Sequence, residues 1–226
     1  MLKFDKVFKK FGDGTTALEN IDFAVEKGEF VFLTGPSGAG KTTLLRLLIK
    51  EMVPSKGKVY FQGKNLADIR KSNLFQLRRK VGAVFQDFKI LTDRTVEENI
   101  ALVFDILRKT QKEENKKVEQ LLDMVGLQDK SRLFPKQLAG GEIQRLALAR
   151  SLALDPDIIF ADEPTGNLDP ETAWQIIELL KKINERGTTL LVATHNFEIV
   201  DSLSQRVIRL EKGKIVSDEK KGKYKK

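Results

Sequence analysis

Gly35-Pro36-Ser37-Gly38-Ala39-Gly40-Lys41-Thr42-Thr43 is the stretch of this chain with the densest chemistry. It fits the pattern G-x-x-x-x-G-K-[ST], a loop whose backbone N–H groups curl inward around phosphate oxygens. Lys41 would then reach the β- and γ-phosphates of a nucleotide, and the Thr42 hydroxyl would ligate Mg²⁺. The pattern needs a strand before it and a helix after it. Phe30-Val31-Phe32-Leu33 is an apolar run with strand character, and Leu44-Leu45-Arg46-Leu47-Leu48 opens a helix. That helix N-terminus would place partial positive charge under the same anion.

Two carboxylates say what is done with the phosphate. Asp157-Ile158-Ile159-Phe160-Ala161 reads as a strand buried on both faces, and it ends in Asp162-Glu163. Asp162, at the C-terminal end of a strand beside the phosphate loop, is placed to hold Mg²⁺ through water. Glu163 points the other way and can polarise an attacking water, help worth about 10²–10⁴ in rate. His195, the only histidine, follows the strand-like Thr189-Leu190-Leu191-Val192-Ala193. Its position suits a γ-phosphate sensor. A satisfied structural histidine is the alternative.

These groups must be carried by an α/β core. The 226 residues, 41% of them hydrophobic, suffice for a single domain with an inserted lobe. The absence of Cys excludes disulfides. No apolar run approaches the roughly 18 residues of a membrane span, and the opening alternates like a strand rather than a leader. A cytoplasmic chain, soluble or peripheral to a membrane, is expected. The net charge of +8 fits a nucleic acid, a membrane surface, a nucleotide or simply a solvated lysine-rich surface.

Leu2, Phe4, Val7 and Phe8 form a half-buried strand; Gly12-Asp13-Gly14 turns the chain, and Ile21, Phe23 and Val25 alternate into another. Gly57 to Gly63 and Val81 to Phe85 are further strands. The period then changes. Thr95-Val96-Glu97-Glu98 has capping-box spacing, Ile100, Val103, Phe104 and Leu107 recur helically, and Val118, Leu121, Leu122 and Val125 do so again before Gly126. A helical lobe over about 88–153 is expected inside the core. Asp169-Pro170 starts a later helix whose buried face is expected from Trp174, Ile177 and Leu180, flanked by Ile176 and Ile183. A basic tail, about 217–226, is expected to be disordered from Glu219 on.

Gln86, Leu138-Ala139-Gly140-Gly141-Glu142-Ile143-Gln144-Arg145, Asp162 to Asp169 and His195 occur in the order found in the ATP-binding-cassette ATPases, and the chain resembles that family over nearly its whole length. The resemblance implies one nucleotide-binding domain over 1–226, with a P-loop core, an antiparallel β subdomain and an inserted α-helical subdomain. It implies ATP and Mg²⁺ as cofactors, Glu163, His195 and Gln86 as catalytic residues, and Thr42, Gln86 and Asp162 around the metal. Phe11 stands where the family places an aromatic, usually Tyr, against adenine; a plain core role is its alternative. Gly140-Gly141 opens a second anion-binding helix, so Leu138, Ala139, Gly140, Gly141, Glu142 and Asp169 would serve the ATP of another chain in a two-fold homodimer.

Gly166-Asn167-Leu168-Asp169 and the residues from Phe85 to Asn99 are most similar to the cell-division branch of the family. That branch implies a peripheral protein at the cytoplasmic face of the plasma membrane, moving an FtsX-type integral membrane partner that controls cell-wall hydrolysis. The partner would dock on the surface after Gln86, including Phe88, Leu91 and Arg94. An ATPase of a lipoprotein-release or macrolide-exporter transporter is the alternative. A nucleic-acid cassette is disfavoured by the short lobe and the single cassette, and no nucleic acid is expected. A small-molecule kinase would leave Leu138 to Arg145 unexplained.

Glu142 replaces the usual Gln of the signature, and Ala139 the usual Ser, whose hydroxyl would donate to the γ-phosphate. Ala139→Ser should raise both the ATPase rate and ATP-driven dimerisation, read by phosphate release and sedimentation; no change in either would contradict this reading of Ala139.

Overall fold

The computed structural model describes residues 1–107 and 110–222. A six-stranded sheet forms its centre, in the order β10-β9-β3-β8-β7-β6. The strands are β3 (Phe30–Thr34), β6 (Val81–Val84), β7 (Ile158–Asp162), β8 (Thr189–Ala193), β9 (Arg206–Glu211) and β10 (Lys214–Glu219). All neighbours run parallel except the β9–β10 hairpin. A second, antiparallel sheet has the order β2-β1-β4-β5, from β1 (Leu2–Lys10), β2 (Thr16–Val25), β4 (Lys56–Phe61) and β5 (Lys64–Asn65).

Alternation in the central strands divides the core in two. Phe30 and Phe32, Ile159 and Ala161, and Leu190 and Val192 face one apolar cluster. Val31 and Leu33, Ile158 and Phe160, and Leu191 and Ala193 face the other. All are nearly inaccessible to solvent, as strands covered on both faces require. The second cluster is closed by α1 (Lys41–Leu48) and the antiparallel sheet. The first is closed by α3 (Val96–Leu107), α4 (Gln111–Val125), α5 (Gly140–Leu152) and α6 (Pro170–Glu185). Two short helices, α2 (Leu74–Arg79) and α7 (Phe197–Leu203), complete the set among the described residues.

Helices α3, α4 and α5 all fall between β6 and β7, and their apolar faces merge with the first cluster rather than closing on themselves. Local signals set their ends. Thr95 and Glu98 exchange capping hydrogen bonds at 3.3 and 2.7 Å. Gly126 closes α4 in the left-handed region at φ 67°. Asp169 accepts from the Thr172 N–H and Pro170 takes the first position of α6.

Two expectations are corrected. Trp174 does not lie on the buried face of α6; it is 37% exposed, while Ile176, Ile177, Leu180 and Ile183 are buried. Buried Ala173 already takes the place one turn before Ile176 and Ile177, and Trp174 lies about 100° further round the helix. The basic tail begins later than expected: Ser217, Asp218 and Glu219 pair with Arg209, Ile208 and Val207 in the β9–β10 hairpin, and the Gly222 N–H donates to the Gln205 carbonyl. Residues 223–226 of that tail lie outside the described residues.

One polar side chain in the core organises a loop. Asn99 of α3 is fully buried. Its amide accepts from the Leu91 N–H at 3.0 Å and donates to the carbonyls of Leu91, Arg94 and Thr95 at 3.0, 3.1 and 2.9 Å. These bonds hold the segment between β6 and α3. Asn99→Leu fills a similar volume but leaves the part-buried Leu91 amide and three backbone carbonyls without their side-chain partner. It should destabilise the fold by about 2–4 kcal/mol, measured by denaturant unfolding. A loss below about 0.5 kcal/mol would show that the network does not hold the loop.

Candidate active site

Parallel strands deliver their C-terminal ends to one edge of the sheet, and there the loops after β3, β6, β7 and β8 meet. A cleft of about 620 Å³ opens among them. It is lined by the whole of Pro36 to Thr43, by Phe11, and by Gln86, Asp162, Glu163 and His195. Every residue expected to act on this chain's own nucleotide therefore lines it except Gly35, which shapes the loop from behind.

Gly35 sits at φ 139°, and a Cβ there would lie 2.1 Å from the Leu210 carbonyl oxygen of β9. Gly40 sits at φ 109°, with a Cβ position 2.6 Å from Leu18. No other residue type fits either place. Lys41 heads α1 and is almost completely buried. Its ammonium donates to the carbonyls of Gly35 at 2.7 Å and Pro36 at 3.2 Å, and stands 3.6 Å from Glu163 Oε1. A buried ammonium must find acceptors, and here they come from its own loop and from the carboxylate.

β8 runs between β3 and β7, so the Asp162 strand is one strand removed from the phosphate loop rather than beside it as expected. Asp162 still reaches: the Thr42 hydroxyl donates to its Oδ2 at 2.6 Å. Burial pushes the Asp162 carboxyl above its ordinary 3.8; the Thr42 hydrogen bond opposes that rise and the neighbouring Glu163 charge adds to it. Glu163 has φ 51°, a left-handed backbone that turns its side chain away from that of Asp162. Its Oε2 stands 2.9 Å from His195 Nδ1 and accepts from the His195 N–H at 3.3 Å. Nδ1 is thus the ring nitrogen that faces Glu163, on a side chain 64% exposed. The next turn fixes this geometry. The Asn196 N–H donates to the Thr194 hydroxyl, and Asn196 caps α7 by accepting from Ile199 N–H.

Phe11 offers a ring at the mouth of the cleft, with the Lys9 ammonium 5.7 Å from its centroid. The residues expected to act on another chain do not line this cleft. Leu138 is buried in the core and serves as an anchor rather than a contact. Gly141 lies so close to α6 that a Cβ would meet Thr172 Cγ2 at 2.2 Å, and Asp169 caps the same Thr172. The start of α5 and the start of α6 thus make one continuous patch. Glu142 is bound to Lys130 and accepts from the Ala139 N–H at 3.0 Å. The Lys130 bond, foremost, holds its carboxyl below the usual range.

The sequence profile of the ABC transporter family matches residues 18–166. The chain belongs to the ABC transporter family. It is 47% identical to the cell division ATP-binding protein FtsE of Streptococcus pneumoniae, over 99% of this chain and 97% of that protein. Identity to the Bacillus subtilis protein of the same name is 46%, over 99% and 98%. The fold also matches the dimeric post-hydrolysis structure of the ATP-binding cassette MJ0796 bound to ADP and Pi. There the TM-score is 0.89 and identity 36%, covering 99% of this chain and 100% of that one. The cassette is accordingly an ATP-binding α/β P-loop protein and an ATPase of the ABC type.

Several residues of this site escape a reading of the sequence. Thr15, Thr16 and Ala17 line the cleft because the turn at Gly12 to Gly14 folds β2 back past Phe11. Arg150 of α5 donates to the Phe88 carbonyl at 3.1 Å and ties the helical lobe to the loop after Gln86; burial pulls its pKa down. Asn99 left a legible trace, a polar residue on the apolar face set by Val96, Ile100 and Val103. Arg150 left none, since an Arg late in a helix is usual.

The raised pKa of Asp162 makes a testable statement about the nucleotide-free cassette. A carboxyl whose folded-state value exceeds its unfolded one costs stability as pH rises through the unfolded value toward the folded one. Asp162→Asn keeps an oxygen for the Thr42 hydroxyl and removes that cost. At pH 7 its nucleotide-free melting temperature should exceed that of the wild type, and the difference should vanish near pH 3.8. A lower melting temperature across the whole range would contradict the assignment.

Proposed function

We propose that this cassette is the ATP-hydrolysing subunit of an FtsEX-type complex, closing on a second copy when ATP binds and so driving an FtsX-type membrane partner that controls cell-wall hydrolysis in cell division. One observation carries the chemistry. Lys41, Thr42, Asp162, Glu163 and His195 are joined by direct contacts in one cleft, while the patch from Ala139 to Glu142 and Asp169 stands apart from it. The relatives carry the biological setting.

In this reading Phe11 stacks on adenine, and the N–H groups of Pro36 to Thr43 cradle the phosphates. Lys41 gives up its loop carbonyls for the β- and γ-phosphates. The Thr42 hydroxyl and Asp162 carboxylate are hard oxygen donors 2.6 Å apart, which suits Mg²⁺, with the Gln86 amide oxygen completing the protein's share. Mg²⁺ bound there neutralises phosphate charge. Glu163 orients and polarises the attacking water, whose oxygen bonds to the γ-phosphorus as the bond to ADP breaks. His195 steadies Glu163 through Nδ1 and presents Nε2 toward the γ-phosphate. A second chain supplies the N–H groups of Gly140 and Gly141 and the side of Asp169. Two such sites are then related by a two-fold axis.

The helical lobe is taken as about 88–153, and the partner's docking surface as the segment after Gln86. Leu91 and Arg94 are exposed there, whereas Phe88 is half-buried against the core and shapes the surface from beneath. The complex sits at the cytoplasmic face of the plasma membrane. No helix among the described residues is long and apolar enough to cross a membrane.

Glu163→Gln should bind ATP, stay dimeric and lose about 10²–10⁴ in turnover, measured by light scattering and phosphate release. A monomer with normal turnover would exclude Glu163 as the base. Pulled from native membranes with ATP and Mg²⁺, that dimer should bring down a four-span permease with division proteins. An export permease instead would move the function to lipoprotein release or efflux and leave the catalytic assignments intact.

A further inference from the structure

Helix α2 buries only one side chain, Leu77. Its outward face carries Phe75, 53% exposed. One helical turn before Phe75 stands Lys71, in the 3₁₀ turn Lys71–Asn73 that leads into the helix, and one turn after it stands Arg79. Residues four apart share an α-helix face, so Phe75 and Arg79 stand on one side of α2, with Lys71 exposed in the turn just before it. Arg70, Arg78 and Lys80 flank them, all exposed, and no acidic residue occurs between Arg70 and Lys80. Arg78 and Lys80 are partly engaged, the first on the Ile49 carbonyl at 3.1 Å, the second on Gln62 at 2.8 Å and Asp157 at 3.6 Å. The side chains of Arg70, Lys71 and Arg79 have no hydrogen-bond or ion-pair partner among the described residues. Beside them a cleft of about 470 Å³ is lined by Asn73, Gln76, Lys64, Lys80 and Asp68 over Leu77.

We propose that this face of α2 lies on the anionic headgroups of a phospholipid bilayer, with Phe75 inserted among them. A cationic rim around a protruding aromatic is the chemistry of an interfacial surface. It occurs on a chain of net charge +8. Placement agrees. α2 leads into β6, the edge strand of the central sheet, and the segment from Gln86 to Arg94 leaves the same strand. α2 therefore sits at the free edge of the central sheet, with only Leu77 of its side chains buried. The contact goes beyond the partner-docking reading and does not need it, because it would persist in the isolated cassette.

The test is co-sedimentation of the purified full-length cassette, without any membrane protein, with vesicles of phosphatidylcholine alone or mixed with phosphatidylglycerol. The wild type should sediment with the mixed vesicles, release at high salt, and ignore phosphatidylcholine. Lys71→Glu with Arg79→Glu should weaken partitioning by at least about 25-fold, since each cation near such a surface is worth about fivefold. Phe75→Ser should weaken it at unchanged charge, and both variants should keep wild-type ATPase activity. A wild type that ignores phosphatidylglycerol overturns the proposal. So does equal binding by the variants. Loss of binding in Lys223→Glu with Lys225→Glu but not in the α2 variants would move the contact to the tail and overturn it too.

Discussion

A single buried ammonium sets the terms for this fold. Lys41 lies at the N-terminus of α1, where the backbone already carries partial positive charge, and it is almost wholly screened from water. A charge in that position is tolerable only if oxygens surround it. Two come from Gly35 and Pro36 of its own loop, and a third from Glu163 on the loop after β7. The loop can offer its carbonyls only because Gly35 and Gly40 accept left-handed conformations against β9 and β2. Glu163 can offer its carboxylate only because its own backbone is left-handed too. Holding these atoms within reach of one another requires β3, β8 and β7 side by side and in register.

The same contact links structure to chemistry. In the nucleotide-free cassette Lys41 and Glu163 neutralise each other, and His195 completes the chain of contacts. In the proposed mechanism a bound triphosphate would offer Lys41 better oxygens than its own loop and would free Glu163 to face water. The lobe of α3 to α5 has no separate core, and it is joined to the cleft through shared packing and two polar ties. Arg150 grips the Phe88 carbonyl, and Asn99 grips the backbone of Leu91, Arg94 and Thr95. Both ties end on the segment that follows Gln86 of the cleft.

What the sequence made legible divides along physical lines. The phosphate loop, the Asp162-Glu163 pair and the helix caps could be read directly because each needs particular residue types at fixed spacing. The strands could be read because burial on both faces demands unbroken apolar runs. Long-range facts were less accessible. Nothing local reveals that β8 separates β3 from β7, that Thr15 to Ala17 fold back into the cleft, or that Arg150 reaches Phe88. Trp174 misled because a large aromatic three positions from Ile177 looks buried, although Ala173 already fills that place on the face. The tail misled because lysines at 220, 221 and 223 hide a strand that reaches Glu219.

The central claim is that the patch at the start of α5 completes the cleft of another copy of the chain. The chain has no cysteine, so introduced thiols report without interference. The measurement is disulfide formation in a mixture of two single-thiol proteins, Ser37→Cys and Ala139→Cys, both in the Glu163→Gln background, with and without ATP and Mg²⁺. The account predicts a cross-linked dimer in the mixture that depends on ATP and is absent from either protein alone. If instead the mixture stays uncross-linked with ATP, while one chain carrying both thiols closes on itself, the two motifs serve the same chain and the composite site is wrong.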